Sequence, residues 1–384
     1  MTDPQAPFAL PEPTPSPPDG YLDAVAGQPL LPVARQAWNA AMDQSWSDPA
    51  RLHHSGRRAG LILDSARASI AAGLGVRADD VFFTSSGPTA LAAAVAGLMT
   101  ARAPVSARAV MSSVESMAVQ EPVRRHAREV TVVGVDGAGR LDLEALEAQL
   151  DAPAALLCVQ AANAEVGTRQ PLHDVAGLAR SAGVPLLVHA VQVIGRDPIP
   201  DDWDLLAASA RDWGGPAGVG VLAVRPQVRW RPDASPDRGW VGGFPDIPGA
   251  AAAAAALEYV TPIRADEAAR AFALVERLRT ELPRRVDGLA VAGHASDRLP
   301  HIVTFTCSGV TGEALVIELD RRGFSVASGS ACTSDARLPS QVLLAMGMAP
   351  ESSIRVSLPF GCSPVTVEAF LSVLPDAVAT ARAD

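Results

Sequence analysis

Between residues 81 and 224 the chain repeats one pattern, a short apolar run followed by a longer stretch of helical character. The runs are Val81-Phe-Phe-Thr84, Ala109-Val-Met111, Glu129-Val-Thr-Val-Val133, Ala155-Leu-Leu-Cys-Val159, Pro185-Leu-Leu-Val188, Leu205-Leu206 and Gly220-Val-Leu-Ala-Val224. Strands that alternate with helices pair in parallel and are buried on both faces, so the pattern predicts an α/β domain with a mainly parallel seven-stranded sheet flanked by helices. The Ala250 to Ala256 run opens a helix of strong intrinsic propensity, and Ala265 to Leu282 reads as another. Beyond them lie His301-Ile-Val-Thr-Phe305, a helix around Gly312 to Arg322, Phe324-Ser-Val326 and Ile354-Arg-Val-Ser357, the parts of a smaller α+β domain. Residues 1–19 carry seven prolines and little to bury, which is the composition of a disordered tail. The expected organisation is therefore a tail (1–19), a large α/β domain (20–255) and a small C-terminal α+β domain (256–384).

Composition narrows the partners. A chain of 384 residues at 48% hydrophobic content can bury a large core, and its net charge of −10 argues against a nucleic-acid backbone as ligand. The basic pairs Arg124-Arg125 and Arg284-Arg285 read as solvated helix faces. No long charge-free apolar run and no basic-then-apolar N-terminal segment is present, so the expectation is a cytoplasmic protein without a membrane partner. Four widely spaced cysteines, Cys158, Cys307, Cys332 and Cys362, signal neither a zinc site nor a disulfide framework. Cys158, Cys307 and Cys362 adjoin apolar strands and read as core residues. His53 and His54 are adjacent and point apart on a helix, so no metal site is expected. All 32 basic residues are arginine. Lysine chemistry is therefore absent from the chain.

Ser328-Gly-Ser-Ala-Cys-Thr-Ser334, followed by Leu338-Pro-Ser-Gln-Val-Leu-Leu-Ala-Met-Gly347 and Glu351-Ser-Ser-Ile-Arg-Val-Ser357, closely resembles the cysteine desulfurases of the NifS/IscS type. These belong to the class V aminotransferases of the pyridoxal-phosphate (PLP)-dependent transferase fold type I. The resemblance runs on through Tyr21-Leu-Asp23, Phe83-Thr-Ser85, Ser113-Val-Glu115, Ala162-Asn-Ala-Glu-Val-Gly-Thr168, His189-Ala-Val-Gln192 and Ser209 to Gly220. It implies a cofactor-binding large domain, a family-like dimer and a role in sulfur transfer.

The same resemblance marks substitutions. Asp212 stands where the family carries the lysine that holds PLP as an imine, with Arg211 beside it, and a carboxylate forms no such bond. His189 replaces the aspartate beneath the pyridine nitrogen, and Ser116 the histidine that stacks on the ring. Pro88 replaces a phosphate-cup threonine, and Phe244 falls in Val241-Gly-Gly-Phe244 where the family has a threonine reaching the neighbouring subunit's phosphate. Conversely, Cys332 matches the persulfide-forming cysteine and Arg355 the arginine that grips the substrate carboxylate. Asn163, Gln192 and Ser209 match cofactor contacts, although each equally suits a buried turn that needs its backbone groups satisfied.

Three readings follow: a degenerate desulfurase acting as scaffold, partner or regulator, a PLP-independent persulfide carrier using Cys332, or a residual enzyme with non-covalent PLP or pyridoxamine phosphate. The first is the expectation, with no covalently held cofactor. Its expected partners are a second copy or an active homologue, and a sulfur-acceptor protein.

Overall fold

The protein is described from a computed structural model covering residues 19–233, 236–328 and 339–383. The large lobe begins with α1 (Pro32–Met42) and α2 (His54–Leu74), then alternates β1 (Val81–Thr84), α3 (Gly87–Arg102), β2 (Arg108–Ser112), α4 (Met117–His126), β3 (Glu129–Val133), α5 (Leu143–Leu150), β4 (Leu156–Gln160), α6 (Leu172–Ser181), β5 (Leu186–His189), β6 (Leu205–Ser209) and β7 (Gly220–Val224). The strands form one sheet in the order β1-β7-β6-β5-β4-β2-β3. Only β7 runs against the other six. Strands β2, β4, β5, β6 and β7 are buried at every position, as helices on both faces require. The edge strand β3 carries the exposed Glu129 and Val132.

The two helices expected, one opened by the 250–256 run and one over 265–282, are one. α7 (Ile247–Arg285) runs unbroken for 39 residues with Pro262 inside it. An internal proline removes one hydrogen bond and costs a helix about 3 kcal/mol. Packing outweighs that cost: Ala250, Ala253, Leu257 and Val260 are buried in the large-lobe core, and Val275, Leu278 and Leu282 in the small-lobe core. A boundary at 255/256 thus falls within a helix that serves both lobes.

After α7 come β8 (Leu289–Val291), β9 (Ile302–Cys307), α8 (Gly312–Arg321), β10 (Ala327–Ser328), α9 (Gln341–Ala345), β11 (Ser353–Ser357) and α10 (Pro364–Ala383). An antiparallel sheet of order β10-β11-β9-β8 forms their centre. Phe324-Ser-Val326, expected as a strand, is not one. Ser325 instead pairs with the N-terminal segment, where Leu22 N–H donates to the Ser325 carbonyl at 2.9 Å and Ser325 N–H to Gly20 at 3.0 Å. Leu22 is itself a core residue of the small lobe, so residues 20–25 stitch the two lobes together. α10 is long and apolar enough to cross a membrane by length and composition, but its Val367, Phe370, Leu371 and Leu374 face the small-lobe core.

The remaining sequence-level assignments fall into place locally. The His53 imidazole accepts the Gly56 N–H and caps α2, a structural task. Arg124-Arg125 and Arg284-Arg285 occupy the last turns of α4 and α7, where cations complement the helix dipole.

Candidate functional site

In an open α/β sheet, ligands bind beyond the carboxyl ends of the parallel strands. Four of those ends converge here. β2 leads into Glu115 and Ser116, β4 ends at Gln160 ahead of Asn163 and Glu165, β5 ends at His189 ahead of Gln192, and β6 ends at Ser209 ahead of Asp212.

Asp212 lies in a single tight turn, residues 210–213, closed by Gly214 at φ 79°. Trp213 pins that turn to α7 through its indole N–H, which donates to the Ala253 carbonyl at 3.0 Å. The Asp212 carboxylate is 2% exposed. It accepts from the Gln192 side-chain amide at 2.9 Å and from the Gln192 backbone N–H at 3.4 Å, with Arg211 Nε 4.0 Å away. Because a carboxylate only accepts, the Gln192 NH2 must face Asp212 and its oxygen must face His301, 3.0 Å away. His301 therefore donates from Nε2. Burial, then the charges of Arg196 and Arg355, holds its pKa well below the usual value, so the ring is neutral. Gln192 adopts φ 64°, a conformation that costs a non-glycine residue about 1–2 kcal/mol. Burial pushes the Asp212 carboxyl up to about 6, opposed by Arg211, the Gln192 N–H, His189 and Arg196.

A second polar group surrounds a cavity of about 310 Å³ on the β2–β4–β5 side. Of the residues singled out in the sequence, it brings together Ser116, Asn163 and His189. The cavity adds Glu115 and Glu165, which the quoted motifs contained but did not single out, and Gln160, which lies between them. Glu115 accepts the Gln160 backbone N–H through one oxygen, while its other oxygen lies 3.7 Å from His189 Nδ1. Asn163 is committed to its own turn: its oxygen accepts the Glu165 and Val166 N–H groups at 2.8 and 2.9 Å. Burial raises the Glu165 carboxyl to about 7, against a hydrogen bond from Ser340 and the charge of Arg355. The signal that could have found both glutamates was available, since each follows an apolar strand run inside a quoted motif where a charge has no packing role.

Other expected positions lie apart from the cavity. The α3 N-terminus abuts β6, where a Cβ on Gly87 would come 2.8 Å from the Ser209 Cβ. Ser86 Oγ accepts the Thr89 N–H at 3.2 Å, and Pro88 has no N–H, so two first-turn donors of α3 are removed from use. Phe244 is 64% exposed in a surface turn between β7 and α7. Arg355 on β11 pairs with Asp23 at 3.0 Å, a partner inside the quoted Tyr21-Leu-Asp23. Cys332 lies outside the described residues. Cys158, Cys307 and Cys362 are buried, and burial raises all three thiols, Cys362 to about 11. They are protonated and unreactive at neutral pH. No group of three metal-ligating side chains occurs among the described residues.

The lobes, the sheet order and the clustering at the strand ends define a PLP-dependent transferase architecture, and comparison with known proteins specifies the family. The class-V aminotransferase model matches residues 20–370. The chain is 36% identical over 377 residues to a cysteine desulfurase of Cereibacter sphaeroides, covering 94% of this chain and 96% of that protein. It is 34% identical to the IscS-like cysteine desulfurase of Mycobacterium tuberculosis, with coverage of 94% and 97%. A solved structure described as a NifS-like protein superposes with a TM-score of 0.86 at 26% identity, covering 94% and 99%. The chain belongs to the class-V aminotransferase family, a PLP-dependent family, and its relatives are cysteine desulfurases of sulfur metabolism.

The raised Asp212 pKa has a definite sign. The group titrates near 6 when folded and near 3.8 when unfolded, so its stabilising contribution is complete below about pH 4 and is lost as pH rises to about 6. Asp212→Asn keeps an acceptor for Gln192 and removes the titration. In urea denaturation across pH 3.5–8, the variant should gain on the parent as pH rises and level off above pH 6 at about 2–3 kcal/mol. A pH-independent difference would contradict the assigned burial.

Proposed function

We propose that this protein is a cysteine-desulfurase-like subunit that does not use PLP and acts as a partner or scaffold in sulfur transfer. The observation that carries the reading is the Asp212 carboxylate, buried at the end of β6 and bonded twice to Gln192. Nothing in a chain without lysine side chains supplies the amine that the family's cofactor linkage uses.

The surrounding residues fit the cofactor no better. PLP is anionic at its phosphate and ring oxygen, and helix N-termini hold phosphates through free backbone N–H groups. Here Pro88 lacks that group and Ser86 already occupies the Thr89 N–H. The carboxylates of Glu115, Glu165 and Asp212 would repel the anion across a poorly screened interior. His189 faces Glu115 at 3.7 Å, where an ionised aspartate would otherwise hold a pyridine proton. Residual turnover with non-covalent PLP is disfavoured on the same grounds.

The partner surface follows from exposed apolar groups. Trp46 is 75% exposed and Leu52 86%, with Leu61 nearby on α2. Apolar groups gathered in one short segment suit a protein interface. The occupant is a second copy of this chain or an active homologue.

The purified protein should be colourless and gain no imine absorbance with added PLP. Asp212→Lys should not restore sulfide release from cysteine, because groups acting as one site fail together and His189, Ser116 and Pro88 remain. Robust turnover by that single variant would mean an otherwise intact desulfurase pocket.

Light scattering at micromolar concentration should give a dimer, alone or with an active desulfurase, and Trp46→Glu combined with Leu52→Glu should weaken it. A monomer under both conditions would remove the assembly proposal.

A further inference from the structure

Around the 310 Å³ cavity, four buried polar atoms have no hydrogen-bond partner among the described residues: Glu115 Oε2, Glu165 Oε1, His189 Nδ1 and Ser116 Oγ. Glu115, Glu165 and His189 are each more than nine-tenths buried. Leaving a buried polar atom unpaired costs about 1–3 kcal/mol, and more for a charged one. Four such atoms on one cavity mark a space shaped for a ligand. Two of the four are carboxyl oxygens, which only accept hydrogen bonds once ionised, as Glu165 is above about pH 7. The missing complement is a donor, and a positively charged donor relieves the buried charge as well.

The charges around the cavity decide the sign of the ligand. Two glutamates contribute up to two negative charges. Opposing them is the α4 N-terminus at Ser116, equivalent to about half a positive charge. Arg124 is exposed at the rim, where water screens it. Arg355 acts on Glu165 but is itself paired with Asp23. At pH 8, above the Glu165 value of about 7, the balance is negative. The lining also includes the apolar Val114, Met117, Val191 and Val342. These side chains give the cavity apolar surface for a flat or aliphatic body.

We propose that this cavity binds a small organic cation, a primary amine or amidine on an apolar body, with its charged head between Glu115 and Glu165. The inference rests on the reading that PLP does not occupy the site. Such a ligand donates to both orphaned carboxylate oxygens and buries its body against the apolar lining. The pocket of an anionic cofactor is thereby turned to the opposite charge.

The test is calorimetric titration of the full-length protein at pH 8 with benzylamine, benzamidine, benzoate and PLP. Benzylamine and benzamidine should bind saturably and benzoate should not. Glu115→Gln and Glu165→Gln, which preserve shape and remove one charge each, should each weaken amine binding at least tenfold. Met117→Trp, which fills the cavity from its half-buried rim, should abolish it. Benzoate binding as tightly as benzylamine, or amine binding unchanged in both carboxamide variants, would overturn the proposal. Absence of binding by amines and PLP alike removes this inference alone. Saturable PLP binding that displaces benzylamine removes the proposed function with it.

Discussion

The carboxylate of Asp212 and the amide of Gln192 hold the centre of the molecule in place. Asp212 lies in the turn after β6, Gln192 follows β5, and His301 immediately precedes β9 of the small lobe, so one chain of two hydrogen bonds joins three elements across both lobes. A hydrogen bond to a charged group is worth about 1.5–3 kcal/mol, enough to offset the left-handed backbone of Gln192. The carboxyl is disfavoured by its burial, as its raised pKa records, yet it fixes the orientation of the amide and the tautomer of the imidazole. A lysine at this position would have no acceptor-only role to play. In this structure Asp212 serves as an internal structural contact at the end of β6.

From that contact the electrostatics of the neighbouring cavity follow. Beside that satisfied carboxylate, the ends of β2 and β4 carry Glu115 and Glu165, each with one oxygen that no donor reaches among the described residues. Sheet, helices and lobes retain the family architecture, with most of the chain superposing on a NifS-like structure. The fold is set by a large apolar core and the chemistry by a few polar side chains, so the retained architecture does not by itself fix what the site does.

The sequence made the architecture legible because buried parallel strands leave apolar runs that nothing else explains. The runs at 109–111, 155–159 and 220–224 each became a fully buried strand. The single helix α7 was not legible, since Pro262 signals a break and only tertiary packing at both ends cancels it. Phe324 to Val326 misled for a related reason: its apolar residues pack in the small-lobe core, while its backbone pairs with residues 20–22, far away in sequence. At the site, Asp212, His189 and Ser116 stood out as departures from a motif. Glu115 and Glu165 were visible as charges following apolar strand runs, but that one oxygen of each lacks a donor is a fact of three-dimensional packing that no spacing reveals. Pro88 and Phe244 were visible as substitutions, but their places at a capped helix start and on an exposed turn were not.

The central claim, that the site has exchanged an anionic cofactor for an acceptor-lined cavity, is most directly tested by native mass spectrometry of the protein purified from cells grown with ample pyridoxine. The account predicts a chain mass free of any phosphate-bearing adduct, either bare or carrying a small basic molecule that is lost on denaturation. A stoichiometric adduct of the mass of PLP or pyridoxamine phosphate would contradict it.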